Sequence, residues 1–335
     1  MQNPTPARLM QAVSAHQQTA AIKAAIELGL FTAVGAGDDT AEALSEHCQT
    51  SRKGMRILCD FLTIHGFLAK QDNRYELTPE SAMFLDRKSP AYFGHVAQFL
   101  TGPLVLQAFG DLTGVVRRGG TLLNDEGGTM SRENAVWEDF ARSMMAFMLP
   151  AAEAIARLVR AEEGKPMKVL DLAAGHGLFG ITIARQNPQA HIYAVDWTAV
   201  LEIAREHAIS AGVAGRWHEI EGSAFDVEFG GDYDVALITN FHHHFDPATI
   251  ETLMRKVHGA LHPDGVVVTL EFVPAEDRIS PPEPAAFAMM MLATTAEGDA
   301  YTFAEYDAMY RNSGFSRNEM HRLEGAPEAI IVSRR

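Results

Sequence analysis

The twelve residues VLDLAAGHGLFG, Val169 to Gly180, join a short apolar run to three closely spaced glycines. Such a run reads as a strand that passes through a tight turn into a helix. Glycines at that turn let the backbone approach a ligand closely, and the first turn of the helix offers unbonded N–H groups. The spacing Gly175-x-Gly177-x-x-Gly180 matches the dinucleotide fingerprint, and a turn serving some other ligand has the same look. Two neighbouring carboxylates favour a different nucleoside. Asp171 lies four residues before the first glycine, where it would repel a pyrophosphate but accept a cationic amino-acid group. Asp196 closes the next apolar run, IYAVDW, where a carboxylate can accept both ribose hydroxyls.

Outward from this stretch the chain has two textures. Residues 1 to about 160 carry helical apolar spacing, as in Ile22, Ile26, Leu30 and Leu44, with breaks at Gly29 and at Gly35-Ala36-Gly37. The charged linker AEEGKPMK, 161–168, ends that half. Beyond it, β-branched runs alternate with helical stretches, and strands are expected at Lys168–Leu172, His191–Asp196, Trp217–Glu221, Asp234–Thr239 and Val266–Phe272. Two more are expected near Phe315–His321 and at Ala329–Ser333. This rhythm predicts α/β architecture, a doubly wound and mostly parallel seven-stranded sheet of Rossmann-like type.

Within the first half, residues 40–85 read as helix, turn, helix, then two short strands about Asp72-Asn73, the pattern of a winged helix. Residues 36–80 hold eight acidic and five basic side chains, a local net charge of −3. An acidic winged helix is a poor phosphate binder, which favours packing or dimerisation over DNA binding.

The whole chain agrees. A net charge of −15 over 335 residues argues against nucleic acid as a bulk partner, and no apolar run is long enough to span a membrane. The N-terminal MQNPTPARLM lacks the pattern of a signal peptide, and Cys48 and Cys59 read as free thiols, so a cytoplasmic location is expected.

The run NFHHHFD, Asn240 to Asp246, follows the fourth expected strand, at the sheet edge where α/β proteins bind ligands. Consecutive histidines point in divergent directions, and no cysteine or carboxylate joins them at ligand spacing, so no metal is expected.

Taken in order, DLAAGHG, the strand-ending Asp196, GSAFD (222–226), DVALITN (234–240) and ALHPDGVVVTLEF (260–272) resemble the class I S-adenosylmethionine-dependent methyltransferases. More narrowly, nearly the whole chain is similar to O-methyltransferases of the plant caffeic-acid and hydroxyindole type and their bacterial relatives. The resemblance implies a helical winged-helix dimerisation domain over 1–100, linking helices over 101–160 that contribute to the substrate pocket, and a catalytic domain over 161–335. It implies S-adenosyl-L-methionine as cofactor, with Ala173, Ala174, Gly175 and Gly177 around its methionine part, Asp171 nearby, Asp196 on the ribose, and Trp197 or Phe225 flanking the adenine. Ala224 and Asn240 join that set, and Ser223 stands where the family has an aspartate for the adenine amino group.

The resemblance also places His243 as general base and Glu271 as the carboxylate that holds its ring. An imidazole suits the removal of a phenolic proton during attack. His242 and His244 are expected as exposed or hydrogen-bonded neighbours, with His244 in the place of a polar substrate contact. The family's second carboxylate falls on Ala300, where Glu297 or Asp299 is a candidate substitute. The stretches 137–150 and 287–296 hold six of the fifteen methionines. Each alone fits a helix core, but together Phe140, Met144, Met148, Phe287, Met290 and Met291 are expected to line an apolar substrate pocket.

The reading that follows is a homodimeric O-methyltransferase acting on a small aromatic hydroxyl compound. C- or N-methylation, a non-methylating relative, a nicotinamide oxidoreductase and a DNA-binding regulator remain as alternatives.

Overall fold

The computed structural model describes residues 5–123, 128–129 and 136–335, and it divides into two compact units, Met1–Gly102 and Pro103–Arg335. In the first unit, helix Ala7–Glu27 gives way at Gly29 (φ 70°) to the short helix Leu30–Gly35. Helices Ala41–His47 and Arg52–Ile64 follow, each started by a hydroxyl cap. Thr40 accepts from the Ala43 N–H and Ser51 from the Gly54 N–H, which satisfies amides the first helical turn leaves unbonded. Strands β1 (Leu68–Gln71) and β2 (Arg74–Leu77) then pair antiparallel about Asp72, itself at φ 54°. The first unit is thus a helix-turn-helix with a true two-stranded wing. Its core gathers Leu30, Phe31, Leu44, Met55, Leu62, Leu68 and Tyr75. The Tyr75 hydroxyl and the Lys70 ammonium both donate to Asp60, tying the wing to the second helix of the motif.

The second unit is built on seven strands: β3 (Met167–Leu172), β4 (Ala190–Asp196), β5 (Trp217–Glu221), β6 (Tyr233–Thr239), β7 (Leu261–Glu271), β8 (Arg317–Arg322) and β9 (Ala329–Arg334). Their order across the sheet is β5-β4-β3-β6-β7-β9-β8, with the first five parallel and the last two pairings antiparallel. Expected and observed strands differ by one or two residues, except that β7 starts at Leu261 instead of Val266. A register shift opposite Tyr233–Val235 lets Leu261 pair with Tyr233 before regular pairing resumes at Val266.

Both faces of the sheet are covered, which is why its central strands are mostly apolar. Helices Pro247–Ala260 and Phe303–Asn312 pack on the face carrying Leu170, Leu172 and Ile238. Helices Leu178–Gln186 and Thr198–Ser210 cover the opposite face, where Trp217 and Ala204 close on Gly177. Residues 103–160, expected as a link, belong to this unit, and helix Met145–Leu158 packs against Leu178–Gln186. The chain leaves β3 toward β4 and β5, then returns to its other side at β6. That reversal opens a crevice at the carboxyl ends of β3, β4 and β6.

Candidate active site

The loop after β3 is shaped by three residues in the left-handed region: Ala173 (φ 51°), Gly175 (φ 56°) and Gly177 (φ 73°). This path aims the Gly175 N–H at the Asp196 carboxylate, which accepts it at 2.8 Å through Oδ2 while Oδ1 accepts the Trp197 N–H at 2.7 Å. Burial pushes the Asp196 carboxyl up to about 6 despite both amide bonds, leaving an acid poised for further hydrogen-bond donors.

The other two glycines of the fingerprint serve packing. A Cβ on Gly177 would lie 2.9 Å from Trp217 Cη2, and one on Gly180 would lie 2.6 Å from Ile192 Cγ2. Helix Leu178–Gln186 therefore sits on the sheet closer than any side chain would allow. Asp171, expected near a cationic ligand group, is fully buried beneath the loop. It accepts the Gly180 N–H at 3.2 Å, and burial raises its carboxyl to about 8. It holds the start of the helix and presents no exposed oxygen to the crevice.

The crevice consists of two adjoining hollows with about 470 and 480 Å³ of open space, both walled by Ala173, Asp196, Trp197 and Phe241. One continues past Gly175 and Asn240 to Trp137, Phe140 and His244. The other continues to Ser223, Ala224, Phe225 and Phe245, an aromatic slot in which Phe225 and Phe241 each lie about 5 Å from the Phe245 ring. The Ser223 hydroxyl accepts the Phe225 N–H at 3.2 Å, so its own O–H remains to donate. Lys256 locks this loop from behind, donating to the carbonyls of Ala224, Phe225 and Val227 at 3.1, 3.0 and 2.5 Å.

The three histidines form one 3-10 turn directly after Phe241. Because Thr239 pairs with Leu270 across β6 and β7, the turn starts beside Glu271. Glu271 is completely buried. Its Oε1 accepts the N–H groups of Phe241 (3.0 Å) and His242 (2.8 Å), and its Oε2 lies 2.6 Å from His243 Nδ1. Burial alone would raise this carboxyl. The facing His243, its hydrogen bond and the amide donors outweigh burial and hold the carboxyl below the usual range. An ionised Glu271 requires a proton on His243 Nδ1, so the tautomer of the neutral ring is the one with its lone pair on Nε2. Among the described residues Nε2 has no hydrogen-bond partner, and it is not one of the unpartnered polar atoms sealed from solvent.

Of the two flanking histidines, expected as exposed or hydrogen-bonded, neither is exposed and His242 is hydrogen-bonded. His242 is fully buried with Nδ1 3.1 Å from the Tyr310 hydroxyl, and burial, only partly opposed by Glu271, lowers its pKa to about 4. His244 is buried to nine-tenths, edge-on to Trp137 and 4.3 Å from the His243 ring centre. Burial and the neighbouring His243 hold it well below its ordinary pKa, so it is a neutral wall of the crevice. The three residues thus face three different surroundings.

Of the expected substrate contacts, the structure brings Phe140 and His244 to the crevice, while Met148 stands behind its wall, its sulfur accepting from Asn240 Nδ2 at 3.3 Å. Phe287 lies edge-on to His243 at 4.9 Å and stacks on Phe272 at 3.8 Å. Met144, at the bend between two helices, and Met291 are buried and Met290 is half-buried, none of them on the walls of the two hollows. Neither substitute for the second carboxylate reaches His243. Glu297 is exposed, and Asp299 pairs with Arg278 at 3.5 Å. Trp137, Phe241 and Phe245 were within stretches already quoted, and the two phenylalanines flank the histidines symmetrically. Sequence reasoning passed over them because aromatic residues beside a strand usually pack in the core.

The family model of the O-methyltransferase domain matches residues 132–316, and that of the O-methyltransferase dimerisation domain matches residues 10–87. A solved structure from Nostoc punctiforme is 50% identical, covers 99% of this chain and 100% of its own, and superposes with a TM-score of 0.96. Among curated proteins, 3-hydroxy-5-methyl-1-naphthoate 3-O-methyltransferase of Streptomyces sahachiroi is 29% identical over 89% of this chain and 86% of its own length. Human N-acetylserotonin methyltransferase, solved with S-adenosylmethionine, shares the fold at 19% identity and a TM-score of 0.85, covering 100% and 99% of the two chains.

Proposed function

The chain belongs to the O-methyltransferase family, and from that premise we propose that it methylates a phenolic hydroxyl of a small aromatic metabolite with His243 as general base. It is an S-adenosylmethionine-dependent enzyme with the family's dimerisation domain. That membership removes the nicotinamide alternative for the glycine loop.

The crevice fits the cofactor: a carboxylate already holding the loop amide, beside a slot with aromatic walls. Ala173 and Gly175 would hold its methionine part and Asp196 its ribose. Trp197 and Phe225 would flank the adenine, Ser223 and Ala224 would meet its edge, and Asn240 would stand beside it. When bound, S-adenosylmethionine supplies a methyl group carried on a sulfonium.

The acceptor oxygen must lose a proton as it attacks. A phenol has a reference pKa of about 10 and is almost wholly protonated at neutral pH. His243 takes that proton on Nε2, and Glu271 steadies the imidazolium that results. The observation that carries this reading is the 2.6 Å contact between His243 Nδ1 and Glu271 Oε2, which fixes the tautomer with Nε2 as acceptor. The apolar surroundings of Phe140, Trp137 and Phe287 support an aromatic acceptor, as does the hydroxynaphthoate named for the Streptomyces relative. The reading includes a cytoplasmic homodimer, supported by two unpaired cysteines and the match over residues 10–87.

The test is turnover of S-adenosylmethionine with a panel of phenols, including 3-hydroxy-1-naphthoate and N-acetylserotonin, scored by S-adenosylhomocysteine release. His243→Ala should abolish turnover and leave S-adenosylhomocysteine affinity unchanged. Undiminished turnover in that variant would sink the assignment of the base.

A further inference from the structure

A base held only at Nδ1 is fixed in tautomer but not in place, because the turn that carries it can still shift. Glu271 takes the N–H groups of that turn. Two of its outward carbonyls, those of His243 and Phe245, meet a different element, the loop between helices Pro282–Thr294 and Phe303–Asn312. Gly298 of this loop lies so close to the turn that a Cβ there would stand 2.2 Å from the His243 carbonyl oxygen and 3.1 Å from the His244 carbonyl carbon. Tyr301, itself buried, donates its hydroxyl to the Phe245 carbonyl at 2.6 Å.

The loop is itself braced. The Thr295 hydroxyl accepts the Gly298 N–H at 2.9 Å and donates to the Met291 carbonyl at 2.7 Å. Arg278 spans Asp299, Glu305 and the Ala300 carbonyl. The loop's charges are therefore engaged outward, with Glu297 exposed, and only neutral groups meet the turn. Where the family's second carboxylate is expected, this chain has Ala300, and the neighbouring Tyr301 makes a neutral contact instead.

We propose that Gly298 and Tyr301 are positioning residues for the base, clamping the carbonyl side of the histidine turn while Glu271 holds its amide side. The proposal rests on the reading of His243 as general base. The loop fixes where the base stands and leaves its proton affinity to Glu271. A methyl group at position 298 must push the His243 carbonyl by about 1 Å to reach an ordinary contact, and a displacement of that size costs on the order of a hundredfold in rate.

The experiment compares Gly298→Ala and Tyr301→Phe with wild type, using the best phenol of the panel and its nitro-substituted derivative, whose hydroxyl is already ionised at the assay pH. With the ordinary phenol, kcat should fall roughly 30- to 100-fold in Gly298→Ala and several-fold in Tyr301→Phe, with S-adenosylhomocysteine affinity unchanged. With the ionised phenol, which needs no base, both variants should approach wild type. Equal losses with both acceptors would mean a merely structural loop and overturn the proposal, as would no loss with either. If Gly298→Ala fails to fold, Tyr301→Phe decides, since it removes one hydroxyl and keeps the ring. His243→Ala in the same assay separates the two readings. If it too ignores acceptor acidity, the base assignment has failed. If it is sensitive and the loop variants are not, only the clamp has failed.

Discussion

Replacing Glu271 with glutamine changes one carboxylate oxygen to an NH2 of nearly the same volume, and the surroundings dictate which one. The oxygen that accepts the Phe241 and His242 N–H groups cannot become a donor, because two buried amides would then face a third donor. The amide oxygen must stay there, so the NH2 faces His243 Nδ1 at the position now 2.6 Å away. It donates, Nδ1 becomes the acceptor, and the ring proton moves to Nε2. His243 keeps its place but turns a donor toward the substrate. The whole of general-base catalysis is then lost, about 10²- to 10⁴-fold in kcat. Because Glu271 has no exposed atom in the crevice, the dissociation constant for S-adenosylhomocysteine should stay within about twofold of wild type. Initial rates with a panel phenol measure the first effect and calorimetric titration the second. The ionised nitrophenol should recover most of the lost rate. A kcat for Glu271→Gln within about threefold of wild type, with the ordinary phenol, would refute the tautomer argument.

Other outcomes follow from the same geometry. With the free Asp196 carboxyl at about 6, ribose hydroxyls favour its ionised form, so S-adenosylhomocysteine affinity should be flat above pH 6 and weaken up to about tenfold per unit below it. Calorimetry from pH 5 to 8 checks this, and Asp196→Asn should bind weakly at every pH. Asp171 is raised from 3.8 to about 8, so its contribution to stability is complete below the unfolded value and is lost as pH rises through 8. Asp171→Asn should therefore gain melting temperature on wild type between pH 5 and 9, and a constant difference would contradict the buried acid. Gly177→Ala adds a Cβ at φ 73° and 2.9 Å from Trp217, costing about 2–5 kcal/mol in denaturant unfolding. Lys256→Met frees three carbonyls behind the aromatic slot and should weaken S-adenosylhomocysteine binding without changing which phenols are methylated.

The architecture was legible because it is local. Short β-branched runs bounded by turns can only be strands, and their alternation with helices places them in a parallel sheet. Residues 169–172 and the glycines after them therefore located the crevice before any coordinate was known. Asp196 could be placed the same way, since it ends a strand, whereas Ser223, Phe225 and His243 were placed by the family resemblance. The Glu271 partnership spans 28 positions and was implied by the resemblance alone; the structure supplies its reason, since parallel neighbours β6 and β7 bring the ends of their sequences together.

Burial and direction were not legible. The fingerprint glycines look alike in sequence, but Gly175 turns an amide to Asp196, whereas Gly177 and Gly180 let a helix close on Trp217 and Ile192. Asp171 reads as a ligand carboxylate until helix and sheet seal it. Three identical histidines became a partner of Glu271, a buried partner of Tyr310 and a neutral wall, because each ring meets atoms from a different distant segment. By itself the sequence determined which elements form and at which sheet edge the chemistry lies, since backbone preference and apolar periodicity act over a few residues. Only the tertiary structure decided which polar groups keep water and which are sealed, and how the loop over 295–302 grips the histidine turn, since those depend on contacts between residues far apart in the chain.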